Sequence, residues 1–89
     1  MALLDLLGRR WCLRIMWELH QKPMTFRSLQ AACGDISPTI LNTRLAELRE
    51  ADIVHASTDG FTLTPEGKRL VTELNGLQNW ADRWARRKA

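Results

Sequence analysis

The sequence predicts a mostly α-helical domain with one small β-hairpin, on three observations. Thr25, Gly34 and Ser37-Pro38 place a helix start, a helix stop and a second start within a few residues of one another. Two short β-type runs then flank an Asp-Gly pair, a hairpin signal when the flanks alternate in polarity. A leucine and tryptophan repeat at four-three spacing fills the C-terminal part, the pattern of a helix with a coiled-coil-like seam.

Bulk properties bound the reading. With 89 residues, 45% apolar and 26% charged, the chain describes one compact domain, 1–89, rather than a disordered or fibrous one. A core this small is marginal alone, and oligomerisation is a natural remedy. The formal charge of +3 and pI near 9.4 suit a polyanionic partner, and suit equally a surface of solvated Lys and Arg. Asp5 interrupts the apolar start and Arg9 and Arg10 follow it rather than precede it, which argues against a secretory signal. No apolar run reaches membrane-spanning length, so a cytoplasmic protein with no membrane partner is expected. Cys12 and Cys33 belong to no CxxC or Cys/His cluster, which fits a reducing compartment and argues against structural zinc.

The elements follow in order. "LLDLL", within about residues 1–8, is a short apolar piece without an evident burial partner in its own chain, and a second subunit is the expected cover. Beyond Gly8, "WCLRIMWEL" from Trp11 to Leu19 is apolar nearly all round except at Arg14 and Glu18, as in a helix buried at the centre of a bundle. Pro23 breaks it, and Thr25 can cap a second helix that carries Phe26, Leu29 and Cys33 on one side. Gly34 ends that helix. Ser37 and Pro38 then supply an N-cap and a first-position proline for a third helix reaching about Asp52. At 100° per residue its Leu41, Leu45 and Leu48 share one face, while Thr39, Thr43 and, nearer the flank, Asn42 point the other way.

"IVHAS" and "FTLT" are the two strands, joined by Thr58, Asp59 and Gly60. Thr64 and Pro65 repeat the cap-plus-proline device and start a last helix over about 65–87. Leu70, Leu74, Leu77, Ala81 and Trp84 form its seam with Trp80 beside them, and a bend is expected at Asn75 and Gly76. Helix, tight turn, helix, hairpin is the order of a winged helix-turn-helix.

In this order and at these separations, "LLDLLGRRWCLRIMWEL", "TFRSLQ", "ISPTILNTRLAELREADIV" and "LTPEGKRL" resemble the HxlR-type winged helix-turn-helix regulators over nearly the whole chain. The most specific pieces are Gly8-x-x-Trp11, Ile36-Ser37-Pro38, Leu41-x-x-Arg44-Leu45-x-x-Leu48 and Leu63-Thr64-Pro65-Glu66-Gly67. The resemblance implies a bacterial or archaeal homodimer that binds double-stranded DNA and regulates transcription, with the first and last helices as the dimer interface. Leu3, Leu4 and Leu7 at one end, and Leu70, Leu74, Leu77, Trp80, Ala81 and Trp84 at the other, are then the interface residues. Three departures stand out. The segment from Ile53 to Leu63 has no Lys or Arg and includes Asp59, where the family's wing is usually longer and basic. Thr39 and Thr43 stand where relatives commonly carry a basic or amide side chain. Asp52 replaces the more usual glycine after the recognition helix, and Asp visits the left-handed region more readily than most residues.

A recognition helix of this type needs phosphate contacts for register and side chains that reach base edges. Ser37, Pro38, Thr39, Asn42 and Thr43 lie in its first turns, and Asn42 presents both a donor and an acceptor to adenine. Arg44, at the border of the wheel, can reach guanine or a phosphate. Arg27 and Ser28 are the phosphate candidates on the second helix; Thr25 is equally well placed but is claimed by its cap. Glu47 and Glu50 flank Arg49 and neutralise it. The operator expected is pseudo-palindromic, with half-sites about one helical turn apart. Two other readings stay open: a solvated polar helix face, and a winged-helix protein-interaction or dimerisation module with weak or no DNA binding.

Catalysis has little support. His20 and His55 fall on different elements with no carboxylate or cysteine at a recognisable spacing, and no GxSxG or P-loop occurs. Cys12, Cys33, His20 and His55 include no pair at metal-ligand spacing, so no metal and no cofactor is expected. Cys33, just before the turn at Gly34, is the candidate for a redox signal. Trp11, Trp17, Trp80 and Trp84 read as core and interface anchors, or as the lining of a pocket for an unknown small-molecule signal.

Overall fold

A computed structural model describes residues 2–88. The elements are α1 (Ala2–Leu7), α2 (Cys12–Gln21), α3 (Phe26–Ala32), α4 (Pro38–Glu50), β1 (Val54–Ser57), β2 (Gly60–Leu63) and α5 (Pro65–Lys88). This is a winged helix-turn-helix: α3 and α4 joined by a tight turn, then an antiparallel hairpin, then a long helix.

Local chemistry sets the helix starts. Thr25 Oγ1 accepts from Ser28 N at 3.1 Å, Ser37 Oγ from Ile40 N at 3.5 Å, and Thr64 Oγ1 from Gly67 N at 2.9 Å. Each satisfies a backbone donor that the first turn leaves without an intrahelical partner. The helix ends are equally defined. Asp35 N donates to Gln30 O and Gly34 N to Ala31 O at 2.9 and 3.0 Å, a Schellman closure with Gly34 at φ 73°. The same closure ends α4, where Ile53 N donates to Leu48 O and Asp52 N to Arg49 O at 2.9 and 3.1 Å. Asp52 takes the left-handed position there, at φ 61°, as its side chain permits. Gln30 Nε2 donates to the Ile36 carbonyl at 2.9 Å and braces the turn between α3 and α4.

The core gathers Cys12, Ile15, Met16 and Leu19 of α2, Leu29 and Cys33, Leu41, Leu45 and Leu48 of α4, and Ile53, Val54, Leu63 and Val71. One expectation is corrected. The central helix is not buried all round, because Leu13 and Trp17 stand 49% and 50% exposed on its outer face. Leu7 at the end of α1 is 9% exposed and joins the protomer's own core. Leu70 and Leu74 also pack partly against that core, whereas Leu3, Leu4, Leu77, Trp80 and Trp84 are exposed.

In the hairpin Val54 pairs with Leu63 and Ser57 with Gly60, so the loop is Thr58-Asp59 and Gly60 belongs to β2. An isolated bridge between Met24 and Phe61 adds a third strand-like segment, closed by hydrogen bonds of 3.0 and 2.7 Å. A Cβ on Gly60 would lie 2.5 Å from the Met24 carbonyl oxygen. The helix α5 runs through Asn75 and Gly76 without interruption. It lengthens the molecule to 45 × 26 × 24 Å, and its residues beyond Leu74 are exposed except for half-buried Ala81.

Candidate nucleic-acid interface

On α4 the burial of Leu41, Leu45 and Leu48 fixes which side faces outward. Thr39, Asn42 and Thr43 are exposed on that outer surface, and Ser37 and Pro38 are exposed at its start. The Thr43 hydroxyl donates to the Thr39 carbonyl at 2.9 Å, a back-bond that uses its proton. What the bond leaves open on Thr43 is its methyl group and the oxygen lone pairs.

Arg27 and Ser28 are exposed at the start of α3, and Arg27 enters no ion pair among the described residues. Thr25 Oγ1 donates to Ser28 Oγ at 3.0 Å while accepting from Ser28 N, so its hydroxyl is held in the cap. The two helices thus bring an uncommitted cation and a row of small polar side chains to the surface.

Arg44 is placed differently from the rest. Its Nε donates to the Arg10 carbonyl at 3.0 Å, and its Nη1 pairs with Glu47 Oε1 at 2.7 Å. The other Glu47 oxygen pairs with Arg9. Arg44 is therefore tied to the turn before α2, and Glu47 is engaged with Arg9 and Arg44 rather than with Arg49.

Sequence reasoning passed over Ile40. It is 41% exposed in the first turn of α4, and an apolar side chain there suits a thymine methyl group. Its position 100° from Thr39 on the helical wheel carried that signal. The wing contributes exposed His55 and a tip at Asp59.

The thiols lie away from this surface. Cys12 and Cys33 are 0% and 2% exposed, and burial pushes both thiols up, outweighing the pull of Arg44 and Arg9 on the first and of Arg14 on the second. Neither is a ready nucleophile. Among the described residues no group of three His, Cys, Asp or Glu could hold a metal ion, and no helix is long and apolar enough to cross a membrane.

Comparison with known proteins agrees with this architecture. The uncharacterized HTH-type transcriptional regulator YvaP of Bacillus subtilis (strain 168) is 29% identical over 87 residues, 90% of this chain and 81% of the relative. The HTH-type transcriptional regulator YodB of the same organism is 31% identical over 87 residues, covering 90% of this chain and 78% of YodB. The crystal structure of quinone-bound YodB superposes with a TM-score of 0.86 at 33% identity, over 92% of this chain and 93% of that one. Residues 6–89 match the HxlR-like helix-turn-helix family. The chain belongs to that family of DNA-binding transcriptional regulators.

Proposed function

We propose that the protein is a cytoplasmic homodimeric regulator that places α4 of each subunit in successive major grooves of a pseudo-palindromic operator. The observation that carries this reading is the division of α4 into a leucine face in the core and an exposed face of Thr39, Asn42 and Thr43. Asn42 and Ile40 read base edges, while Thr39 and Thr43 offer oxygen and methyl contacts. Arg27, Ser28 and Ser37 hold the phosphates through their N–H and O–H donors, and Pro38, which has no donor, makes only van der Waals contact. Support for the dimer comes from apolar surface that the protomer leaves open: Leu3 and Leu4 on α1, and Leu77, Trp80 and Trp84 with half-buried Ala81 on α5. The Trp80 and Trp84 rings stack at 6.3 Å, a large apolar patch of the kind that marks an interface.

The quinone-bound state of YodB extends the reading to a small-molecule signal. With both thiols buried, an aromatic compound would act on this chain by non-covalent entry into the apolar groove of about 450 Å³ between α2 and α5, against Leu13, Trp17 and Leu77.

Selection from random duplex DNA, run at low and near-physiological salt, tests the function. Enrichment of an inverted repeat, with affinity falling by orders of magnitude as salt rises, is the expected outcome. One observation favours a second reading: the wing has no Lys or Arg and an acid at its tip. Absence of enrichment and of low-salt binding would make the domain a protein-interaction module.

A further inference from the structure

We infer that Arg44 and Glu47 are positioning residues that clamp α4 to the turn carrying α1, and so set the separation of the two recognition helices in the dimer. The inference rests on the dimeric reading above. It starts from Trp11, which closes the turn after Gly8 in the left-handed region at φ 80° and ψ −14°. A bulky side chain rarely adopts that conformation, and it persists where the surroundings over-determine it.

The turn's own backbone bonds, Arg9 N to Leu6 O at 3.1 Å and Cys12 N to Arg9 O at 3.3 Å, supply part of the surroundings, as does the packing of Trp11 on the core. The rest comes from α4. Arg44 Nε binds the Arg10 carbonyl at 3.0 Å, the peptide group that leads into Trp11. Glu47 accepts from Arg44 with one oxygen at 2.7 Å and pairs with Arg9 through the other. The Arg10 guanidinium lies 5.4 Å from the centre of the Trp11 ring. Arg44 and Glu47 side chains are each 22% exposed, so their pairing is screened less than a fully exposed one. Nε and Nη1 of Arg44 are both committed, and a DNA contact through them would open the clamp.

The turn has leverage because α1 has six residues, of which Leu7 alone is buried and Leu6 partly packed against the core, both at the end next to the turn. Its direction follows from the turn. In a two-fold dimer built on α1 and α5, a rotation of α1 against α4 occurs in both protomers, and the separation of the two α4 helices changes by both contributions.

Electron-spin distance measurement on the full-length protein without DNA tests this directly. A nitroxide on an Ala46→Cys variant reports the separation, since Ala46 is exposed on α4 while Cys12 and Cys33 are too buried to take the label. The parent should give one narrow distance. Adding Glu47→Gln or Arg44→Lys should shift or broaden it by about 2 Å or more, the scale of helix displacements at subunit interfaces. Circular dichroism confirms that each variant is folded, and either variant suffices if the other is not. Folded dimers with the parent distance would overturn the clamp and leave the dimer standing, even if their unfolding midpoints fell. A labelled parent that gives no inter-subunit distance would overturn the clamp and the dimer together.

Discussion

Gly67 lies so close to Ile53 that a Cβ on it would stand 2.3 Å from the Ile53 carbonyl oxygen. That oxygen is held in place, because it accepts from Thr64 N at 3.0 Å, with Thr64 Oγ1 at 3.2 Å as the longer arm of a bifurcated bond. Thr64 Oγ1 also donates to the Asp52 carbonyl at 2.6 Å. The end of α4, the root of the wing and the first turn of α5 are pressed together at this point. The glycine of the Thr64-Pro65-Glu66-Gly67 run is there for lack of a side chain, in an ordinary helical conformation.

Replacing Gly67 by Ala should therefore destabilise the fold by about 1–3 kcal/mol, as overpacking does. Gly76 lies in the same helix with nothing within 4 Å of its Cβ position, and Gly76→Ala should stabilise by about 0.5–1 kcal/mol through helix propensity. Urea unfolding of the two variants measures both. Changes of the same sign would refute the close approach.

Asn42→Ala should weaken binding to the selected operator by roughly 1–3 kcal/mol for each half-site and leave random DNA almost unaffected. Equal losses on both would remove Asn42 from base readout. Titrations of fluorescent duplexes give both values.

Arg27→Ala should lower affinity for operator and random DNA alike, and should reduce the slope of log affinity against log salt by about 2 for the dimer, about 1 for each subunit's contact. An unchanged slope would show that Arg27 makes no phosphate contact.

The two thiols predict a pH dependence. Burial holds both folded thiols above their ordinary value, so the unfolded chain releases these protons first as pH rises. Their effect is absent at neutral pH, and stability falls as pH climbs through the ordinary thiol range, above about 8.5. Urea midpoints measured across that range check the sign: a Cys12→Ala, Cys33→Ala variant starts from lower stability but declines less. A thiol reagent should label the native protein slowly and the urea-unfolded protein at once.

Trp80→Ala combined with Trp84→Ala should shift sedimentation toward the monomer, with the core untouched because neither ring enters it. A dimer as tight as the parent would move the interface off this part of α5.

Legibility in the sequence followed range. The caps at Thr25, Ser37 and Thr64 act on donors within three residues, so residue type and spacing were enough to place them. The leucine face of α4 and the left-handed Asp52 were local in the same sense. The Met24 bridge to Phe61 and the Arg44 bond to Arg10 span 37 and 34 positions, and no periodicity encodes such pairings. Arg44 could be read as a base contact because a helical wheel shows which way it points and not what it meets. Leu13 and Trp17 looked like core because apolar content alone does not say whether a side chain is buried or stands at the surface. The small residue at Gly67 gave no sign that backbone, rather than a turn, required it.

Trp17, Trp80 and Trp84 are each about half exposed, at 50%, 53% and 52%, and only Trp11 among the four tryptophans packs against the core. In the isolated chain, intrinsic emission is thus dominated by indoles already in contact with water, and denaturing that isolated chain changes the surroundings of three of them little. The colour of that emission is a poor gauge of folding for this chain. It is a sensitive one of the proposed dimer: dilution through its dissociation constant should redden the light while the helical signal stays constant.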